Sequence, residues 1–423
     1  MKNINCFFKL SGLGLIAVLA TQAYASGYRV EMQSTSILAD SGEAAVVEDA
    51  GTNWYNAAGL PYLPQQFVGS AIDVYAPTSF SGTVTPNTFL PVTLTGSASS
   101  HPNVVLPSLH YSYPFNPQWA AGVSIVPAWG LLEDYGQSSL LRYDLVKVTT
   151  KSIDVSPSIA YKFNNQWSFG IGPDFHYFSV DSRSHVFTQP LATTADSESR
   201  YNADDWAHGA HAGILYRLDD ATRVGLNYRS KLVMHLEGDS DFNLAAPFNT
   251  AFSTNQFKLR IVLPPTTTLS LYHDITPCWA LMGTIAYDQW SVLNAYHANN
   301  YQSLGFVIPD VIVTQNMRNT VDLGIGTHYK FNDQWMLRAN VKYLPTPTKD
   351  AYRDVNFPDG DKLGFQFGAR YQFNPKIAVD MLYGHVFVKT VPINLTQPVT
   401  FVAVNGHNST SIDLFGAQVV WDI

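Results

Sequence analysis

Charge is scarce in this chain. Only 14% of its 423 residues are Asp, Glu, Lys or Arg, whereas a soluble domain averages about 25%. Cysteine is scarcer still, with Cys6 and Cys278 the two present. Cys6 lies in a leader expected to be removed, so Cys278 has no intrachain disulfide partner and reads as a small apolar residue. Beyond that leader no stretch offers about 18 uninterrupted apolar residues, which excludes a membrane-spanning helix. The hydrolase signatures G-x-S-x-G and H-E-x-x-H are both missing. The chain is therefore expected to be no enzyme and to need no cofactor.

In the leader, Lys2 and Lys9 precede an apolar run from Leu10 to Ala20, followed by Ala23-Tyr24-Ala25. A basic start, a short apolar core and an A-x-A site make a secretory signal over 1–25, with Ser26 the first mature residue. Without Lys2 and Lys9 the mature chain keeps 23 basic against 33 acidic groups. That balance argues against nucleic-acid partners.

Aromatic residues are plentiful, at 13%. An exported chain with few charges, many aromatics and no apolar helix fits a transmembrane β-barrel, whose alternating strands never build a long apolar run.

The chain repeats a phrase that marks the strands. "YPFNPQW" (113–119), "YKFNNQW" (161–167) and "YKFNDQW" (329–335) are nearly identical, and "YRLDDATR" (216–223), "YHDITPCW" (272–279) and "YQFNPKI" (371–377) are variants. Each is an aromatic, a short polar turn and an apolar restart, with Asn, Asp or Pro supplying the turn chemistry. The first turn residues fall at 116, 164, 219, 276, 332 and 374. Each interval holds two strands of roughly ten residues or more and one long loop. Six short turns flank twelve strands. One more fits at about 66–80 and one at about 409–423. The expected fold is all-β: a 14-stranded antiparallel transmembrane barrel over 66–423, in the outer membrane of a Gram-negative bacterium, with both termini periplasmic.

Alternation supports this. Ile153, Val155, Ile159 and Tyr161 share one parity, while Asp154, Ser156, Ser158 and Ala160 share the other. The first set is expected to face lipid and the second the lumen.

Eight strands can be filled by their own side chains, whereas 16 to 18 leave a water channel. Fourteen raise the question of what fills the lumen. Residues 26–65, which include "EDAGTNWYNAAGL", have few charges, many small residues and no alternation. They are expected to form a plug inside the barrel. A general diffusion porin for polar solutes is the alternative reading.

The stretches "SGYRVEMQSTSILADSGEAAVVEDAGTNWYNAAGL", "VPAWGLLEDYG", "SPSIAYKFNNQWSFGIG", "HAGILYRLDDATRVGLNYRSKLVMHLEGD" and "LRANVKYLPTPTKDAYRDVNFPDGDK" resemble, in family order, the FadL family of outer-membrane transporters for long-chain fatty acids and other hydrophobic compounds. The resemblance covers essentially the whole mature chain. It implies a barrel closed by an N-terminal hatch and passive, ligand-gated uptake of a hydrophobic molecule, most simply a long-chain fatty acid. Capture at an outer groove would precede an inner site near the mature N-terminus and lateral release into lipid. The family's Asn-Pro-Ala hatch motif falls on Asn56, Ala57 and Ala58, where the proline is missing. The inner site would include Ser26, Gly27 and Tyr28, and the lateral path an inward kink in the third strand, near Gly122 and Pro127.

By turn counting, the third and fourth outer loops are expected at about 182–205 and 238–255. Phe242, Leu244, Phe248 and Phe252 in the latter are the expected outer groove, because apolar side chains concentrated in a watery loop mark a binding surface. Parity turns Arg223, Arg229, Lys231 and Arg338 into the lumen, where a cation could meet a ligand carboxylate. The competing reading pairs such cations with Asp174, Asp322, Glu43, Glu48 or Asp49. His176, His208, His211 and His328 fall on or near the lumenal parity, but His208 and His211 point to opposite faces of a strand, and no metal site is expected. The partners expected are a hydrophobic small molecule and outer-membrane lipid, with the protein acting as a monomer.

Overall fold

The computed structural model describes residues 27–89, 92–189, 195–303, 305–397 and 400–423. The leader and Ser26 lie outside the described residues.

Fourteen strands form one closed antiparallel barrel. In chain order they are Gln66–Tyr75 with Thr78–Thr85, Leu94–Ser100 with Asn103–Pro114, Trp119–Val126 with Leu131–Asp134, Lys147–Lys162, Trp167–Val186 and Ser197–Arg217. Then come Thr222–Arg229 with Leu232–Leu244, Thr250–Leu263 with Thr266–Thr276, Trp279–Asp288 with Ala295–Ser303, and Phe306–Thr314 with Thr320–Lys330. Trp335–Leu344, Lys362–Asn374, Ile377–Val388 with Val391–Thr396, and Ala403–Asp422 complete the set. The first strand pairs with the last, from Gln66↔Asp422 to Tyr75↔Asp413, and so closes the wall. Prolines stand at several interruptions (Pro77, Pro102, Pro127, Pro264 and Pro265), where a ladder donor is missing.

The six repeated turns all join strands, and their Asn or Asp has a defined use. Asn164 Oδ1 accepts the backbone N–H of Gln166 and Trp167, each at 2.8 Å. Asn332 does the same for Gln334 and Trp335, and Asp219 for Ala221 and Thr222. One side chain thus caps two donors that a tight turn would leave orphaned. The flanking aromatics, such as Phe163, Trp167, Phe331 and Trp335, are exposed around that end.

Two expected loops are shorter than composition suggests. Strand runs to Val186 and resumes at Ser197, and runs to Leu244 and resumes at Thr250. The connections are therefore 187–196 and 245–249. Polar, Asp- and Ser-rich hairpins rising above the membrane read as loops because they lack an apolar face.

Residues 27–65 lie within the wall. They form α1 (Thr35–Asp40), α2 (Thr52–Asn56) and a 3-10 turn (Ala57–Tyr62). Ser34 caps α1 by accepting the Ile37 N–H, and Ser41 ends it in the left-handed region at φ 59°. Every residue of α1 is buried.

Small residues on both sides allow the segment to sit so close to the strands. A Cβ on Gly225 would lie 1.8 Å from the Ala44 carbonyl oxygen, and one on Gly213 would lie 2.0 Å from Asn56 Oδ1. Ala57 occupies the motif's proline position with φ −56°, and Asn56 before it is extended at φ −167°, ψ 97°. Ala57 thus has a φ that proline can adopt, and Asn56 is extended rather than helical, as a residue before proline tends to be, so the chain turns here without the ring.

Candidate functional site

The interior segment is tied to the wall by buried charge. Arg338 donates to Asp40 (2.9 Å), Glu48 (2.6 Å) and Asp380 (2.6 Å). Arg370 bonds both oxygens of Asp380 at 2.8 Å and reaches Asp49 at 3.1 Å. Lys342 pairs with Glu43 at 2.7 Å, and Arg29 with Asp322 at 2.8 Å. Arg229 bonds Asp174 at 2.7 Å while its guanidinium lies over the Trp54 ring at 3.4 Å. Such cations can be buried because each meets carboxylates directly.

The third strand leaves a window in the wall. Its lower part pairs with the second strand only up to Ile125↔Leu109. The chain then breaks at 127–130, and Leu131–Asp134 pairs with the fourth strand alone among the described residues. The edge of the second strand over 103–108 therefore has no ladder partner on that side. Above it, the Asp134 N–H bonds Ser100 Oγ at 2.9 Å. The window's rim carries Val105, Leu109 and Ile125, all exposed.

The backbone released by the break is taken up from inside. Val30 N–H bonds the Ala128 carbonyl at 2.9 Å, and Gly130 N–H bonds the Tyr28 carbonyl at 3.1 Å. Gln33 Nε2 donates to the Pro127 carbonyl at 2.9 Å, and Ser152 Oγ to that of Trp129 at 2.6 Å. Residues 28–33 and the strand break are therefore one structural unit.

Behind this unit lies a cavity of about 230 Å³. Its wall is mostly apolar and includes Leu131, Val148, Phe178, Phe257, Ile261 and Val311, with Tyr28 at the side of the strand break. Tyr28 stacks on Phe357 with ring centres 4.2 Å apart and bonds Tyr296 through the hydroxyls at 2.7 Å. Gly27, at φ +69°, packs against the Trp290 ring. Asp144, Asp354 and Gln397 bring polar groups to the cavity. Chemically, this is a site for an apolar body with one polar end.

The expected site residues divide sharply. Tyr28 lines the cavity and Gly27 adjoins it. Asn56 bonds the carbonyls of Ala44 (2.7 Å) and Ile214 (3.0 Å), and Ala58 accepts from Ser168 Oγ at 2.7 Å. Gly122 faces Asn53 and Leu60, and Pro127 stands at the break. Arg223, Arg229 and Arg338 turn inward, but toward the N-terminal segment. Arg223 donates to the Ala45 carbonyl at 2.6 Å. Asp174, Asp322, Glu43, Glu48 and Asp49 each hold a buried cation, as the competing reading has it.

Lys231 is a correction. It is exposed, and its neighbour Leu232 is buried. The strand is interrupted between Arg229 and Leu232, and the break resets the alternation. His208 is likewise exposed, while His176, His211 and His328 are buried. His328 Nδ1 lies 3.2 Å from Glu48 and 3.6 Å from Asp40. These three could surround a cation, but Arg338 already neutralises both carboxylates.

The outer-groove residues are also rearranged. Phe242 is fully buried and faces Phe252 across the strand pair, with ring centres 6.5 Å apart. Leu244 and Phe252 are half-buried, and Phe248, in the turn, is exposed. Sequence reasoning missed Trp290, Tyr296, Phe357, Asp144 and Asp354. Three of these sit on connections, which have no period to reveal which side chains turn inward.

Three relatives share this architecture or sequence. The chain is 28% identical to a long-chain fatty acid transport protein of Escherichia coli O6:H1, over 99% of each chain. It superposes on a Pseudomonas aeruginosa FadL homologue with TM-score 0.81 and 21% identity, covering 94% of this chain and 100% of the other. For the toluene transporter TodX of Pseudomonas putida the TM-score is 0.68 at 17% identity, covering 91% and 98%. The model of the family described as outer membrane protein transport protein (OMPP1/FadL/TodX) matches residues 16–422. The chain belongs to that family and is a multi-pass β-barrel transport protein of the outer membrane.

Proposed function

We propose that this protein carries hydrophobic small molecules passively across the outer membrane. A ligand is held in the internal cavity and leaves sideways, through the window beside the third strand, into the lipid. The carrying observation is the conjunction of an apolar cavity, a lumen occupied by the N-terminal segment and a wall opening that adjoins both. Apolar surface favours the bilayer over an aqueous channel, so a lateral exit suits such a ligand. The relatives are named for a long-chain fatty acid and for toluene, and an apolar cavity suits a hydrocarbon chain or an aromatic ring alike.

The segment 27–65 then acts as a hatch. Tyr28 senses the ligand, and its backbone link to Gly130 couples the cavity to the strand break. Asn56, Ala57 and Ala58 give the hatch a close-packed seat. The Phe242–Phe252 hairpin would offer the first contact outside, with exposed Phe248 at its tip. The protein is proposed to work as a monomer.

The test is to replace 127–130 with a continuous alternating strand and measure uptake of a labelled long-chain fatty acid and of toluene. The variant should fold, shown by heat-dependent mobility in a gel, and lose uptake of both. Undiminished uptake would rule out the lateral route. Rapid swelling of wild-type proteoliposomes in sugars would favour the porin instead.

A further inference from the structure

Among the described residues, the cavity is lined by two carboxyl groups, those of Asp144 and Asp354, and by no Lys, Arg or His. The nearby cations are committed elsewhere. Arg142 bonds Asp196 at 2.9 Å. Arg353 bonds Asp350 and the Asp359 carbonyl, and Lys362 bonds Asp359. The neutral donors are also spent in part. Gln397 Nε2 donates to Asp144 at 2.7 Å, and the Tyr296 hydroxyl donates to that of Tyr28, whose own proton stays available. Asp354 accepts the Phe357 N–H at 2.9 Å and hydrogen-bonds with Asn356. The lining also holds Ser, Thr and Tyr hydroxyls and the amides of Gln315 and Asn356, which can donate as well as accept. What sets the polar end apart is therefore its two carboxyl groups.

Resting on the uptake reading above, we propose that the cavity selects ligands whose polar end donates hydrogen bonds, a hydroxyl or an amine on a hydrocarbon body, and disfavours a carboxylate anion. A third carboxylate would stand in low dielectric beside Asp144 and Asp354 with no Lys, Arg or His among the described lining residues to offset it, and like charges repel strongly there. A hydroxyl donates to either acid without that cost, and an ammonium relieves their mutual repulsion. The two acids already feel one another. Burial and the Asp354 carboxylate push the Asp144 carboxyl up to about 7, and burial raises Asp354 as well. The phenols of Tyr28, Tyr135, Tyr201 and Tyr296 also lie around Asp354 and supply no positive charge, and Arg353, next to it in the chain, is paired with Asp350. A fatty acid would then enter as the neutral acid.

Size sets the probe. A cavity of roughly 150 Å³ takes benzene, so about 230 Å³ suits a body of on the order of ten non-hydrogen atoms. The experiment is calorimetric titration of the full chain in detergent at pH 8 with decanol, decylamine and decanoate. Decanol and decylamine should each bind about tenfold or more tighter than decanoate. In the double variant Asp144→Asn/Asp354→Asn, decanoate should come within about threefold of decanol. Equal or tighter binding of decanoate to the wild type, which needs no variant to fold, overturns the selectivity. Binding of none of the three overturns the uptake reading itself, and the selectivity with it.

Discussion

Arg338 and Asp40 join the barrel wall to the first helix inside it, with Nε–H of the eleventh-strand guanidinium 2.9 Å from the carboxylate at the end of α1. Both are buried, and the same guanidinium holds Glu48 and Asp380. An arginine so engaged has no free edge for a ligand carboxylate, and its work is to seat the N-terminal segment.

Removing that arginine should therefore loosen the segment. Arg338→Met leaves three carboxylates in the interior without their shared cation. Breaking such a pair costs about 3–5 kcal/mol. Amide exchange over Ile37–Ser41 should rise by about a hundredfold or more, since each 1.4 kcal/mol is tenfold. Mass-spectrometric exchange of the folded protein in detergent reads this directly. Unchanged protection over α1 would mean that the seat does not depend on Arg338.

The glycine seats give a second, independent handle. Gly225→Ala would drive a methyl into the Ala44 carbonyl, whereas the nearest atom to a Cβ on Gly283 is 3.8 Å away. Backbone cannot yield as a flexible side chain does. Proteoliposomes carrying Gly225→Ala should admit sugars measurably faster than wild type, and those carrying Gly283→Ala should match it. Equal swelling in all three would show that the close approach at Gly225 does not seal the lumen.

How much of this was legible beforehand follows from where a period exists. Five of the six turns announce themselves because the same side chain, Asn or Asp, caps the same two donors each time, while the sixth has Thr276 there, accepting the Cys278 N–H. Strand parity places Asp154 and Ser156 inside and Ile159 outside, because lipid and lumen differ in polarity at every residue. Parity fails at Lys231, where the ladder is interrupted and no sequence feature as loud as a proline marks it. The ion pairs of Arg338 and Lys342 were legible as charge balance, but not as one cluster, since their partners Asp40 and Glu43 come from an aperiodic segment. The cavity was not legible at all. Asp144 and Asp354 sit on connections, and only the fold turns them toward a common space.

The missing hatch proline makes a sharper case. Ala57 already has φ −56° and Asn56 is extended, so Ala57→Pro asks for no new backbone conformation. Its main effect should be on the unfolded chain, which loses freedom. Stabilisation by about 0.4–1 kcal/mol is expected, seen as a small rise in the detergent melting temperature. Because Gly170 packs closely against Ala57, a fall instead would show that the ring does not fit that seat.

The acids of the cavity predict a pH dependence whose sign is fixed. Burial, with Asp354 second, raises the Asp144 carboxyl to about 7, far above the roughly 3.9 of a free Asp. The folded protein thus keeps this proton at pH values where the unfolded chain has released it. The resulting stabilisation is complete below about pH 4 and is lost as the pH rises from there through 7. Wild-type melting temperature in detergent should fall between pH 5 and 8. Asp144→Asn keeps the shape without titrating, so its fall should be smaller. A residual slope remains, because Asp354 is raised in the same direction. Identical slopes in the two proteins would show that Asp144 carries no such proton, and the cavity would then be more open to water than its lining suggests.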